Sequence, residues 1–138
     1  MEIKHFYERI INELSNNDSS FENNYMVHAY VLDSHNRIIS KGINSYQKTY
    51  PMQFRLANKT DRPHRNYLHA EIAALVKARK ESYGILVIRI TKSGLIRMAR
   101  PCNICILAIK EAGIKNVYYS GNDGLIHLDK LEYWYEKA

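Results

Sequence analysis

Cysteine is scarce in this chain: two residues out of 138. That excludes a small secreted domain stapled by disulfides. Long hydrophobic runs are absent too. No stretch approaches the roughly 18–20 apolar residues that cross a bilayer as a helix, so no membrane span is expected. The first residues, Met1-Glu2-Ile3-Lys4-His5, are polar and lack the apolar core of a secretory signal. No internal repeat or linker is visible. What is there is 46% apolar and 25% charged, the balance of an ordinary soluble globule. The expectation is a reduced, cytoplasmic protein with one domain over residues 1–138 and a core of its own.

Negative charge is also scarce, but only in one region. Residues 1–36 carry two Lys/Arg against six Asp/Glu, a net of −4. Residues 37–100 carry fourteen against three, a net of +11, and residues 101–138 carry four against five, a net of −1. The excess of the +6 chain therefore lies in the middle. An anionic partner would explain it: a phosphate on a small substrate or a nucleic-acid backbone. A solvated basic face without a partner explains the charge equally well.

Periodicity predicts the elements. Ile3, Phe6, Tyr7, Ile10, Ile11 and Leu14 recur at helical spacing, and a polar stretch from Ser15 to Ser20 ends that helix. Tyr25–Leu32 and Arg37–Asn44 flank the turn Asp33-Ser34-His35-Asn36 and read as a hairpin. Residues 45–66 read as a long irregular connection with a local net charge of +4. A second helix is expected over His69–Lys80, with Glu71 in its first turn. A buried strand follows at Ile85–Ile90, and Leu95–Ala99 returns as another. Pro101 is expected to open a third helix that stops at Gly113. Ile114–Tyr119 reads as a strand. Asp129 and Glu132 have the spacing of a capping pair for a last short helix through Trp134. The order is that of an α/β domain with a partly parallel sheet and helices packed on it.

Three pieces carry chemistry: Gly42-Ile43-Asn44, His69-Ala70-Glu71 and Pro101-Cys102-Asn103-Ile104-Cys105. A C-x-x-C pair at a helix start brings two sulfurs to one point, where the helix terminus favours thiolates. That suits a redox disulfide or half of a soft-metal site, and both readings are open at this level. His69 starts another helix. In α/β layers, helix starts that follow parallel strands gather at one edge of the sheet. One His and two Cys leave a tetrahedral position open, the pattern of a catalytic zinc. Glu71, two residues on, is placed to act on a water, whose pKa zinc lowers to about 7.

The H-x-E and P-C-x-x-C pieces, in this order and about thirty residues apart, form the signature of the zinc nucleobase deaminases. Over roughly residues 25–120 the chain resembles the cytidine deaminase-like superfamily. The resemblance implies a three-layer α-β-α fold with a mixed, roughly five-stranded sheet. It implies that His69, Cys102 and Cys105 bind Zn²⁺ and that Glu71 shuttles the proton. The implied reaction is hydrolytic deamination of cytosine to uracil or of adenine to hypoxanthine, and the substrate favoured here is a cytosine nucleoside or nucleotide. Many members of the superfamily contact sugar or base through an Asn in a G-x-N, here Asn44, although a plain turn role for Asn44 stands level with that one. Ala70, Arg100, Lys48 and Arg65 are the other candidate substrate contacts, and Arg55 and Arg62 are further cations for a phosphate.

Within the superfamily the first ligand being His69 argues against the classical cytidine deaminases. Arg100 stands where the tRNA-adenosine branch usually has an acid. The whole pattern is most similar to compact deaminase-like proteins of phage and viral genomes, through Asn44–Pro51 and Met98–Cys102. The resemblance further implies a homo-oligomer. Two other readings stay open: a deaminase of single-stranded DNA or RNA, motivated by the basic middle segment, and a non-catalytic thiol-redox or structural zinc module, motivated by the cysteines alone.

Overall fold

A computed structural model describes residues 3–15, 25–44, 69–78 and 82–131. Helix α1 (Ile3–Ser15) follows from its three- and four-residue spacing. Phe6, Tyr7 and Ile10 are buried, while Lys4, His5, Glu8, Arg9, Asn12 and Glu13 face solvent. Two further helices are α2 (Ala70–Lys77) and α3 (Asn103–Glu111). Among the described residues no helix is long and apolar enough to cross a membrane.

Six strands form one sheet: β1 (Tyr25–Leu32), β2 (Ile38–Ile43), β3 (Gly84–Thr91), β4 (Ile96–Arg97), β5 (Asn116–Ser120) and β6 (Ile126–Lys130). Their order is β2-β1-β3-β5-β6, with β4 added to β3. β3 and β5 are parallel, and every other pair is antiparallel. The β1–β2 turn is tied by Asp33. Its Oδ1 accepts from the His35 and Arg37 N–H groups at 2.8 and 2.9 Å, and its Oδ2 meets Arg37 Nε at 2.8 Å. Asn36 takes the left-handed conformation that closes it, at φ 60°.

Alternation along the strands sorts the core into two layers. Val27, Ala29 and Val31 of β1 and Ile85 and Val87 of β3 pack toward α2 and α3. Tyr30, Leu32, Leu86 and Ile88 pack toward α1. Buried on both faces, β3 reads as a near-continuous apolar run, as an inner strand must. The result is a three-layer α-β-α arrangement around a mixed sheet, as the resemblance implied. The two-residue β4 is the strand beyond the five.

Several boundaries differ from the sequence reading, among them β5, which runs Asn116–Ser120 rather than Ile114–Tyr119. The strand expected at Leu95–Ala99 is only Ile96–Arg97, because the Met98 N–H turns to Asn122 Oδ1 in the β5–β6 turn and the Ala99 N–H to the Ser120 carbonyl of β5. Helix α3 begins after Cys102 rather than at Pro101, and α2 ends at Lys77, with Ala78 already extended. The larger correction concerns Asp129, which does not cap a helix. It lies inside β6, opposite Val117. Pairing with β5 satisfies the main chain from Ile126 to Lys130, and a helix starting at Asp129 would forfeit those bonds. The expected helix beyond Leu131 lies outside the described residues.

Candidate active site

The topology sets two helix starts side by side. β2 and β3 each run antiparallel to β1, so they run the same way, and β5 runs with them. His69 is the N-cap residue of α2 and Cys102 is the N-cap residue of α3. Ser, Thr, Asp or Asn is usual at that position because the side chain bonds the first free N–H groups. Neither His69 nor Cys102 makes a capping bond. Their side chains turn to each other instead. His69 Nδ1 lies 3.2 Å from Cys105 Sγ and 3.6 Å from Cys102 Sγ. The three donor atoms all fall within 4.8 Å of one another.

This geometry fits a zinc ion. Zn–N and Zn–S bonds of about 2.0 and 2.3 Å at tetrahedral angles put N and S roughly 3.6 Å apart. The charges fit as well. Cys102 is pulled down to about 3, first by a hydrogen bond from the Cys105 thiol and then by His69, against the opposing effect of burial. Cys105 is fully enclosed, and burial pushes its thiol up. The protein alone thus favours one thiolate. A dication held by the three donors would supply the charge that ionises both.

Glu71 sits in the first turn of α2 and is only 6% exposed. Burial raises its pKa, while His69 works in the opposite direction. It shares a cavity of about 190 Å³ with Val27, Asn44, His69, Ala70, Arg89, Met98, Ala99, Arg100 and Cys102. The cavity floor is the cross-strand pair Val27 and Arg89. Asn44 enters with its carbonyl committed, since Oδ1 accepts from the Val27 N–H at 2.9 Å. What Asn44 can offer a ligand is therefore its Nδ2 donor. The turn role and the ligand role weighed for Asn44 are compatible.

Gly42 has a packing task. An added Cβ would lie 2.5 Å from Ala74 N and 2.6 Å from Ala70 O, so only glycine lets β2 press against the first turns of α2. Ser40 Oγ donates to the Ala74 carbonyl at 2.7 Å and fixes the same contact.

The structure thus gathers His69, Ala70, Glu71, Cys102, Asn44 and Arg100 around one cavity, with Cys105 behind the first ligand pair. Lys48 and Arg65, with Arg55 and Arg62, lie outside the described residues. Arg89 escaped the sequence reading because it is embedded in the apolar run of β3. The signal was there: a lone arginine inside a buried strand calls for a reason.

Residues 1–121 match the cytidine and deoxycytidylate deaminase zinc-binding region. The chain belongs to this deaminase family. A 1.6 Å crystal structure of cytidine deaminase from Burkholderia pseudomallei is similar over 91% of this chain and 91% of its own, with a TM-score of 0.58 and 17% identity. A single-site mutant of cytidine deaminase from Mycobacterium tuberculosis is similar over 97% and 94%, with a TM-score of 0.50 and 13% identity. At these identities the likeness is one of fold. Among curated proteins no match is found. Membership of the deaminase family gives the His/Cys/Cys cluster a chemistry beyond thiol redox, and its donor set is compatible with zinc.

Proposed function

We propose that this deaminase-family chain is a zinc-dependent hydrolase that converts a cytosine nucleoside or nucleotide to its uracil product. The observation that carries the reading is the enclosure of the Glu71 carboxyl in the same cavity as His69 and Cys102, with Cys105 closing the donor triad. Zinc, when bound, is a Lewis acid that makes a water nucleophilic at neutral pH. The chain's own residues do the rest. His69 Nδ1 and the two sulfurs hold the ion. A Glu71 carboxylate oxygen takes a proton from the attacking water and delivers it to the ring nitrogen, then takes the second proton from the hydroxyl now on the ring carbon and passes it to the departing amino group. The bond from ring carbon to amino nitrogen breaks, oxygen takes its place and ammonia leaves. Burial of Glu71 excludes bulk water and raises its pKa, which favours the protonated form it uses as a donor. Asn44 Nδ2, the Ala70 main chain and Arg100 are the substrate contacts in the cavity, with Lys48 and Arg65 as further cations for a phosphate.

The cavity is smaller than the roughly 300–1,000 Å³ of sites for drug-sized ligands, and so suits a single base. A second reading, deamination of a base in single-stranded DNA or RNA, is favoured by the +11 charge of residues 37–100. Ammonia release from cytosine, cytidine, deoxycytidine, dCMP, dCTP, adenosine, guanine and single-stranded oligonucleotides separates the two. The first reading expects release from a free cytosine compound. Release from oligonucleotides alone, with binding that weakens steeply as salt rises, selects the second. Release from none of them overturns both. We further take the protein to act as a cytoplasmic homo-oligomer, which light scattering of the purified chain would show as a mass of twice 16.2 kDa or more.

A further inference from the structure

Arg100 and Asp129 form an ion pair at the rim of the cavity, with Nε 3.0 Å from Oδ2. Arg100 lines the cavity; Asp129 does not, and reaches it from β6. Tyr119, on the neighbouring strand β5, lies close enough to Asp129 to feel its charge. Tyr119 is itself buried and stacked on His127, with ring centroids 5.6 Å apart. The Asp129 carboxylate is therefore held by the β5–β6 hairpin.

The same hairpin fixes the main chain that carries Arg100. Ser120 Oγ donates to the Arg97 carbonyl at 2.7 Å, and the Ala99 N–H donates to the Ser120 carbonyl at 2.9 Å. The Met98 N–H donates to Asn122 Oδ1, also at 2.9 Å. With the ion pair, that makes four ties from one hairpin to the cavity wall. None of them involves α2 or α3, whose N-caps carry candidate metal ligands.

Two guanidinium groups, Arg89 and Arg100, line the cavity against one carboxyl, Glu71. An arginine close to a buried carboxylate pairs with it. Such a pair would occupy the group that the chemistry needs. Asp129 gives Arg100 a different partner and keeps it at the rim. A guanidinium is a planar fork of five N–H donors, so an Arg100 kept at the rim by this charge contact can present the fork to phosphate oxygens.

We propose that Asp129 is a positioning residue: it holds Arg100 at the cavity rim to take the anionic group of the substrate, so that the site prefers a nucleoside monophosphate to the nucleoside. The base is identified by the deaminase reading, on which that part rests; the chemistry of the rim does not depend on it.

Equilibrium binding of dCMP and of deoxycytidine to the zinc-loaded full chain tests this, in a Glu71→Gln background that does not turn over. The expected preference for dCMP is about tenfold or more, the scale of charge-assisted hydrogen bonds. Arg100→Gln should abolish most of it. Asp129→Asn should lower it by about three- to tenfold, and Asp129→Glu, which restores a carboxylate, should recover part of it. Asp129→Asn should add nothing once Arg100→Gln is present. An unchanged preference in folded Asp129→Asn, or additive effects in the double variant, overturns the proposal. If Asp129→Asn does not fold, Arg100→Gln decides alone, and an unchanged preference there overturns it. A chain that releases ammonia from deoxycytidine but shows no phosphate preference overturns this proposal and leaves the deaminase reading standing. Phosphate-selective binding without deamination of any substrate does the reverse.

Discussion

The two faces of the sheet are built from different materials. Toward α1 the buried side chains are large: Phe6, Tyr7, Ile10, Tyr30, Leu32, Leu86 and Ile88. Toward α2 and α3 many are small, with Ala29, Ala70, Ala73, Ala74 and Ala108 beside Cys105 and the buried Glu71. Bulk fills space and removes apolar area from water, at roughly 1.5–3 kcal/mol for each fully buried large side chain. Small residues allow backbones to approach, which encloses the polar groups of the site without filling it. Both faces contribute stability, since Ile72, Ile85, Ile104, Ile109 and Val117 are fully buried on the α2 and α3 side, but only that side also encloses the polar groups of the site. A variant of one face should leave the signature of the other intact.

Phe6→Ala should have the largest effect on stability. Truncating a buried phenylalanine costs about 3–5 kcal/mol. Chemical denaturation should show that loss, while zinc content and specific activity, measured well below the melting temperature, should stay at the parent level. Loss of activity in a folded Phe6→Ala protein would mean that the two layers are not independent.

His28 gives the α1 face a dependence on acid. It shares a face of β1 with Tyr30 and Leu32, and burial, with Lys41 nearby, lowers its pKa to about 4. The unfolded chain, with the ordinary value near 6.5, takes up the proton first as pH falls. The stability tied to neutral His28 is complete above about pH 6.5 and is lost as pH drops toward 4, to a limit of about 3 kcal/mol. In His28→Gln that slope should flatten relative to the parent in urea titrations at pH 7 and pH 4.5. Parallel slopes would show that His28 is as well solvated in the folded chain as in the unfolded one.

Gly42→Ala probes the opposite face and should cost the least. The added methyl meets the main chain of Ala70 and Ala74, which cannot swing aside, and overpacking of this kind costs about 1–3 kcal/mol. Its effect on catalysis should nevertheless exceed that of Phe6→Ala, because it displaces the turn that carries His69 and Glu71. A variant with normal activity would show that α2 tolerates a shift at its start.

Local chemistry was the most legible part of the sequence. His69 and Cys102 stand where helix caps belong, and Glu71 lies one turn inside, so the motif and its placement could be read together. The first helix and the hairpin were equally plain, from uninterrupted periodicity. Two features were hidden for physical reasons. Ile126-His127-Leu128-Asp129-Lys130 alternates weakly, and the Asp129–Glu132 spacing mimics a cap. Pairing with β5, distant in sequence, overrides that local preference. Arg89 looked like an interruption of an apolar strand, because its use depends on Val27 across the sheet and on a cavity formed by five separate segments. The Arg100–Asp129 pair joins residues on different elements, and no spacing rule predicts it.

The central claim is that one metal triad and one carboxyl form a deaminating site. Glu71→Gln measured for zinc and for ammonia release in the same preparation tests it most directly. The account predicts one zinc per chain in both parent and variant. It predicts release from deoxycytidine or dCMP by the parent and a loss of about 10²–10⁴-fold or more in the variant, the scale of a removed general acid–base group. Comparable activity in the zinc-loaded variant, or full activity in a parent chain stripped of zinc, would contradict it.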